Sequence, residues 1–486
     1  MDSHTSRGTI YLIAASGIFF ISGYAIHLGL GRYLGPEEYG TFGVTLTLMT
    51  AVNLLVGSGI PQAASKYIAE GTNDVGSIAP ASLRIQLLFS TLVFLVYVSS
   101  AGIIAKALGN ASMANYIRLS ALAIPFYALC SLYCDGYLNG LRMFGQQSLA
   151  SVANSLSKVS LAIGLAFIGL RVNGAILAYA IAAIVGWLVA WRCLGHIDKS
   201  DGVFGWTSLM RFAIPTSLFF MIASLIMSLD LFVVKAISNN PDDAGFYTAA
   251  TNIARLPYYL SGALALALMP SISMSTSSEN HGLTKSYISQ TLRYMLIVLV
   301  PSTLLISATS GSLVSLFYSQ RYTEAAAPLS ILIFGLALFS IFFVLSHVVM
   351  GSNRPGVVFG IAVFVAAIDL ALNLILVPRH GLLGAAWATT MATLAGAVVT
   401  AVYVLWRFEA LVSIKSFARI CGASAAVYLV ARLIPTPPAL LPLIYLGLFA
   451  AYFGLLALLR EFGKEDIARL RQIIPFASVN GTRQTK

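Results

Sequence analysis

Of the 486 residues, 58% are hydrophobic and only 10% are charged, and the mean hydropathy is +0.84. A water-soluble domain carries about 25% charged residues, so a soluble globular protein is excluded and lipid must be the main solvent. The net charge of +11 is spread over short loops instead of gathered in one patch, which argues against a nucleic-acid-binding surface.

Apolar stretches long enough to span roughly 30 Å of hydrocarbon recur from one end to the other. The sequence predicts an all-α polytopic membrane protein of about fourteen transmembrane helices, over 9–32, 40–62, 82–105, 116–138, 147–170, 174–194, 208–236, 243–270, 287–310, 325–350, 356–377, 382–406, 416–434 and 441–459. Arg7 and the first apolar run imitate a signal peptide, but the run is too long for one and no small-x-small cleavage site follows. The breaks carry turn chemistry: Leu34-Gly35-Pro36, Asn239-Asn240-Pro241, Asn353-Arg354-Pro355 and Pro435-Thr436-Pro437-Pro438. No segment alternates as a lipid-facing strand does. Beyond the last span, Ile467, Leu470 and Ile474 share one face of a short amphipathic helix suited to the inner membrane surface.

Lys and Arg set the orientation. With the N-terminus cytoplasmic, 19 of the 29 basic residues fall in inside segments, 8 in outside segments and 2 within spans. The positive-inside rule then places both termini in the cytoplasm.

Two motifs recur. Pro36-Glu37-Glu38-Tyr39-Gly40-Thr41-Phe42 reappears as Pro241-Asp242-Asp243-Ala244-Gly245-Phe246-Tyr247, offset by 205. Proline and acids in a first helical turn suit the positive helix end, so one copy alone is merely structural. Gly174-Ala175-Ile176-Leu177-Ala178 matches Gly384-Ala385-Ala386-Trp387-Ala388 at an offset of 210, and Gly140 matches Gly351 at 211. Markers in constant order imply that helices 1–6 and 7–12 are duplicates, related by an axis along the membrane normal. The expected organisation is an N-terminal lobe over 1–200, a C-terminal lobe over 201–407, a helix pair over 408–460 and a cytoplasmic tail over 461–486.

With Gly59-Ile60-Pro61-Gln62 and Ala69-Glu70 in the first half, and Asp230, Gly245-Phe246-Tyr247 and Pro270 in the second, the chain resembles the polysaccharide-biosynthesis flippases. These are O-antigen-type and teichuronic-type exporters of the multidrug/oligosaccharidyl-lipid/polysaccharide superfamily. The resemblance covers residues 9 to about 406. It implies an exporter in the cytoplasmic membrane, acting by alternating access on a polyprenyl-diphosphate-linked oligosaccharide. The expected partners are that lipid-linked glycan, membrane lipids and other glycan-assembly proteins. A monomer without nucleic acid or cofactor is expected.

A charge at bilayer depth costs roughly 2.5–3.5 kcal/mol and marks a functional candidate. Lys158, Asp230, Arg255 and Asp369 stand out, and the offset of 211 sets Lys158 opposite Asp369. Lys158 and Arg255 are candidates for holding a diphosphate, against a structural ion pair or snorkelling. Asn53, Asn252 and Asn373 are candidates for lining a polar cavity, against interhelical hydrogen bonding. Asp230, Asp369 and His27 are candidates for ion or proton coupling. His27 and His347 also read as ordinary buried, hydrogen-bonded histidines. Cys130 and Cys134, one turn apart, read as packing residues, and no Cys/His set has metal-site spacing. No GxxxxGK[ST] motif is present, so ATP does not drive the chain directly. The membrane potential, H⁺ or Na⁺ stay open as energy sources.

The alternatives are a lipid II flippase, a cation-coupled multidrug exporter, a scaffold in a glycan-assembly complex and, in a different class, a membrane glycosyltransferase or polymerase. The outward acids Glu37, Glu38, Asp242, Asp243 and Glu324 offer that enzyme no convincing catalytic pair.

Overall fold

The computed structural model describes residues 3–70, 75–195, 205–259, 272, 281–352 and 354–462. These are almost wholly helical, and eleven helical stretches are long and apolar enough to cross a membrane. Two of the eleven are double. In Phe144–Leu194 and Gly356–Phe408 the chain reverses, at Gly169–Arg171 and at Gly381. With the helix that opens at Asp243, the passes number fourteen. The amphipathic tail expected around Ile467–Ile474 lies outside the described residues.

The helices in order are α1 (Ser3–Leu34), α2 (Pro36–Glu70), α3 (Val75–Ala107), α4 (Met113–Leu138), α5 (Phe144–Leu165) and α6 (Arg171–Leu194). Then follow α7, in two pieces (Trp206–Ile226 and Leu229–Ile237), α8 (Asp243–Ala254), α9 (His281–Ala308) and α10 (Ala326–Gly351). The last are α11 (355–380), α12 (382–408), α13 (Ile414–Leu433) and α14 (Leu441–Leu458). The expected unbroken seventh span is thus corrected: α7 stops at Ile226, and Leu229 opens a second piece.

Local chemistry sets the joints. Gly35 adopts φ +79° between α1 and α2, a left-handed conformation that glycine reaches without cost, and Pro36 opens α2 with Glu37 and Glu38 in its first turn. The two hairpin turns share one backbone conformation, φ 44° and ψ −126° at Arg171 and φ 54° and ψ −132° at Gly381, positions 210 apart. Glycine holds it freely, whereas Arg171 holds it under strain. Just after each turn a glycine lets the returning helix lie against the first. A Cβ on Gly174 would fall 2.8 Å from the Leu165 carbonyl oxygen, and one on Gly384 2.6 Å from the Leu376 carbonyl carbon. These are the glycines of the second repeated motif.

The glycines of the first motif meet each other. A Cβ on Gly40 would stand 2.5 Å from the Gly245 nitrogen, and one on Gly245 would run into the Pro36 carbonyl. One turn on, a Cβ on Gly43 would be 2.5 Å from the Thr248 side chain. So α2 and α8 cross backbone to backbone, a contact that only small residues allow. Around this crossing Tyr39, Phe42, Tyr247, Tyr318 and Tyr322 are buried in the largest apolar cluster.

The other end of α2 makes a second closure. A Cβ on Gly59 would lie 2.5 Å from the Ala213 carbonyl oxygen of α7 and would overlap the Ser217 hydroxyl. Ile60, Ala63 and Ala64 pack there with Leu209 and Ala213. One helix therefore seals two ends, and what lies between them is a cavity. Farther out, α13 and α14 dock on α9 through Ile420, Val427, Tyr452, Leu296 and Leu305.

Candidate substrate cavity and ion site

The cavity encloses about 540 Å³ between the two α2 closures. Its walls come from α1 (Phe19, Phe20, Tyr24, His27), α2 (Thr47, Thr50, Asn53), α5 (Asn154, Ser155, Lys158) and α6 (Tyr179). Further wall comes from α4 (Tyr127), α7 (Ser224, Met227, Ser228), α8 (Asn252), the residues that follow it (Arg255, Tyr258, Tyr259) and α10 (Phe339, Phe343). Among the described residues the lining carries two cations, Lys158 and Arg255, and no carboxylate.

Each cation is held differently. The Lys158 ammonium lies over the rings of Phe19 and Tyr179, each 5.3 Å from the centroid, and makes no ion pair among the described residues. Aromatic faces attract a cation without neutralising it. Arg255 uses the break in α7: its Nη2 donates to the Met227 carbonyl at 2.8 Å, an oxygen left without a helical partner where the first piece ends. Its Nε is buried without a partner among the described residues. Both positive charges are thus available to an anion.

Beside them runs a neutral polar chain. Asn252 Nδ2 donates to His27 Nδ1 at 3.1 Å and to the Tyr39 hydroxyl at 3.0 Å, and Tyr39 also meets His27 Nδ1 at 2.9 Å and Tyr318 at 3.1 Å. Tyr24 donates to the Asn252 carbonyl at 3.1 Å. This chain connects the cavity wall to the α2–α8 closure, because Tyr39 belongs to the repeated motif. Asn53 also lines the cavity, and its Oδ1 has no partner.

The carboxylates lie outside the described cavity lining. Asp230 sits in the first turn of the second piece of α7, where a carboxylate suits the positive helix end. It accepts from the Leu231 amide at 2.8 Å, the Tyr247 hydroxyl at 2.7 Å and the Thr389 hydroxyl at 3.1 Å. Asp369 accepts from Asn373 Nδ2 at 3.0 Å. Asp369 Oδ2 and Asn373 Oδ1 are buried with no hydrogen-bond partner among the described residues. Asn373 therefore belongs with Asp369 and is absent from the described cavity lining. No ion pair joins Lys158 to Asp369 among the described residues, although the repeat sets them at equivalent positions.

His347 is separate again. Its Nδ1 lies 2.8 Å from the Phe343 carbonyl, and its ring packs against Phe343 at a 56° tilt with centroids 4.4 Å apart. Cys130 and Cys134 are free, buried packing residues. Among the described residues no three His, Cys, Asp or Glu gather as metal ligands.

Sequence reasoning missed Tyr39, Tyr318 and Asp135. The tyrosines resemble interface-belt residues in one dimension, and their burial depends on the helix crossing. Asp135 lies near the end of the fourth span, where a charge attracts little notice. It accepts from Ser131 at 3.0 Å and Gln147 at 3.2 Å.

A fourteen-helix bundle around a central cavity, with a broken helix beside it, is the architecture of a membrane transporter. Residues 5–276 match the family described as polysaccharide biosynthesis protein, and the chain belongs to that family. Its relatives include lipid II flippase MurJ of Bacillus subtilis, 22% identical over 81% of each chain. They also include the probable low-salt glycan biosynthesis flippase Agl15 of Haloferax volcanii, 24% identical over 79% of each. Among solved structures, the inward closed conformation of lipid II flippase MurJ superimposes with a TM-score of 0.79 at 14% identity, covering 92% of this chain and 98% of that one. An inward-facing multidrug resistance MATE family transporter gives 0.70 at 16% identity over 82% and 98%. The fold is that of these transporters.

Proposed function

We propose that the protein is a flippase that moves a polyprenyl-diphosphate-linked oligosaccharide across the cytoplasmic membrane by alternating access. The observation that carries this reading is the charge of the cavity, two cations and no carboxylate in its described lining. A diphosphate supplies the matching anion, and phosphate recognition by Lys and Arg is among the stronger polar contacts. A cavity for cationic drugs would need acid where this one has Lys158 and Arg255.

In this mechanism Lys158 and Arg255 hold the diphosphate, and Asn53 and Asn252 bind sugar hydroxyls. The hydrogen-bonded chain from Asn252 through His27 to Tyr39 links an occupied cavity to the α2–α8 closure. Residues 1–200 and 201–407 rock against one another, and helices 13 and 14 (408–460) ride on α9. Both termini face the cytoplasm, so the Gly40 closure is external and the Gly59 closure internal. Moving two negative charges outward across 100 mV, inside negative, releases roughly 4.6 kcal/mol. Asp230 and Asp369 supply a second energy source by binding a monovalent cation or a proton, a reading supported by the buried Asp369 Oδ2 and Asn373 Oδ1, which have no hydrogen-bond partner among the described residues.

A second reading, export of lipid II, is supported by the similarity to lipid II flippase MurJ along 81% of both chains. The test is complementation of a deletion strain with Lys158→Ala and Arg255→Ala. Membrane levels should stay normal while surface glycan is lost. Normal display in both variants would sink the assignment, and rescue of a lipid II flippase deletion by the unmodified chain would select the second reading.

A further inference from the structure

Helix α2 contains Pro61. Proline has no N–H, so the carbonyl four residues earlier, on Gly57, loses its helical partner. The Ser131 hydroxyl of α4 replaces it at 2.7 Å. That same oxygen stands 3.0 Å from Asp135 Oδ2. A serine hydroxyl has one proton to donate, and a backbone carbonyl can only accept. That one proton is shared between the Gly57 carbonyl and Asp135 Oδ2, and protonation of Asp135 would leave it wholly on the shorter bond to Gly57.

Among the described residues no cation fixes Asp135 in its ionised form. Gln147 donates to the other carboxyl oxygen at 3.2 Å, a bond available in either protonation state. No Lys or Arg pairs with Asp135 among the described residues. The titratable groups near it are Tyr127, Cys130 and Cys134 of its own helix, with Cys193 of α6 beside Cys134. Helix α2 presents Gly57 and Pro61, α3 presents Ser82 to Tyr137, and α5 presents Gln147, none of them charged. Asp135 also lies in a π-helical turn, Leu132–Leu138, a local widening found often at functional sites. Its side chain is solvent-accessible although Ser131 and Gln147 are buried, so protons can reach it.

We propose that Asp135, Ser131, Gln147 and the Gly57 carbonyl form a proton-binding site that sets the bend of α2 at Pro61. When Asp135 loses its proton, the carboxylate competes for the Ser131 hydroxyl through a charge-assisted bond. The Gly57 carbonyl is then released, and the kink loses its cap. The α2 segment around the kink, Gly59 to Ala64, packs against Leu209 and Ala213 of α7, so proton release loosens the Gly59 closure. The site lies outside the described cavity lining and on different helices from Asp230 and Asp369, and it is independent of the substrate.

Two measurements on the purified full-length protein in liposomes test the site. Infrared pH-difference spectra should show a protonated-carboxyl band at neutral pH that disappears on alkaline titration and is missing in Asp135→Asn. The rate of maleimide labelling of Thr47→Cys, with the native cysteines replaced and each rate divided by that of the same variant unfolded at the same pH, should rise from the Gly59 end at alkaline pH by several-fold. The side-chain amide introduced by Asp135→Asn donates as the protonated acid does, so that variant should label slowly at every pH. Ser131→Ala should keep the carboxyl band and lose the pH dependence of labelling. An unchanged carboxyl band in Asp135→Asn would overturn the proposal, as would pH-dependent labelling that persists in both variants. Displacement of the band by Na⁺ at constant pH would make this a metal-cation site and overturn the proton assignment.

Discussion

Replacing Gly40 with alanine adds one methyl group where two helices touch backbone to backbone. Its Cβ would lie 2.5 Å from the Gly245 nitrogen and 3.0 Å from the Ala244 carbonyl carbon, while ordinary contact begins at 3.4 Å. The obstacle is main chain, so no side chain can swing aside, and α2 and α8 must part by about 0.9 Å. Overpacking of this kind costs about 1–3 kcal/mol. If only the state closed at this crossing bears that cost, the equilibrium moves by roughly 5–150-fold toward opening at the Gly40 end. Gly59→Ala, which meets the Ala213 carbonyl at 2.5 Å, should shift it toward opening at the other end. Gly102→Ala has nothing within 4 Å of the new methyl and serves as the neutral control. The assay is labelling of Thr47→Cys, in a background lacking the four native cysteines, by an impermeant maleimide applied from either side. Gly40→Ala should raise labelling from its own side and Gly59→Ala from the opposite side. If both variants raise labelling from one side, or neither departs from the Gly102→Ala control, the two closures do not govern access.

Other outcomes follow from single side chains. Glu461 is 2% exposed and lies 2.8 Å from Arg293 of α9 and 3.4 Å from Arg419 of α13. Glu461→Ala takes the carboxylate from both cations, which keep main-chain contacts to the Glu461 and Arg460 carbonyls and are 20% and 40% exposed, so the loss should fall below the about 3–5 kcal/mol of a fully buried pair. A lower Tm, with freer proteolysis between α13 and α14, would register it. Asp230→Asn and Asp369→Asn should each abolish any Na⁺ or pH dependence of transport while substrate still binds, which equilibrium binding and transport assays separate. Transport that keeps its full ion dependence in both variants would remove these residues from coupling.

Hydropathy made the helices legible because a span must be apolar over its whole length, and the expected boundaries at 170–174 and 377–382 fall at the two fold-backs. The break in α7 was invisible: Met227-Ser228-Leu229 contains neither glycine nor proline, and what marks it in space is Arg255 reaching the freed Met227 carbonyl. Repetition located Gly40 and Gly245 but not their contact, since an offset says that two residues are alike and nothing about whether they touch. The same limit separates Lys158 from Asp369. Lys158, Arg255, Asn53, Asn252 and His27 reach one cavity, whereas Asp230, Asp369 and Asn373 turn toward α8, α11 and α12. Charge at bilayer depth singled out both groups, because burial cost is the same for either sign. Direction around a helix, which decides the grouping, is a property of the packed bundle.

The central claim is that this cavity carries a lipid-linked diphosphate between leaflets. It is tested most directly with the purified chain in liposomes containing a fluorescent polyprenyl-diphosphate oligosaccharide, scored by quenching from outside. The account requires inside-negative potential to accelerate outward movement, and it requires Lys158→Ala and Arg255→Ala to stop it. Movement that proceeds equally in both variants, or no movement of the diphosphate lipid by the unmodified chain, would contradict it.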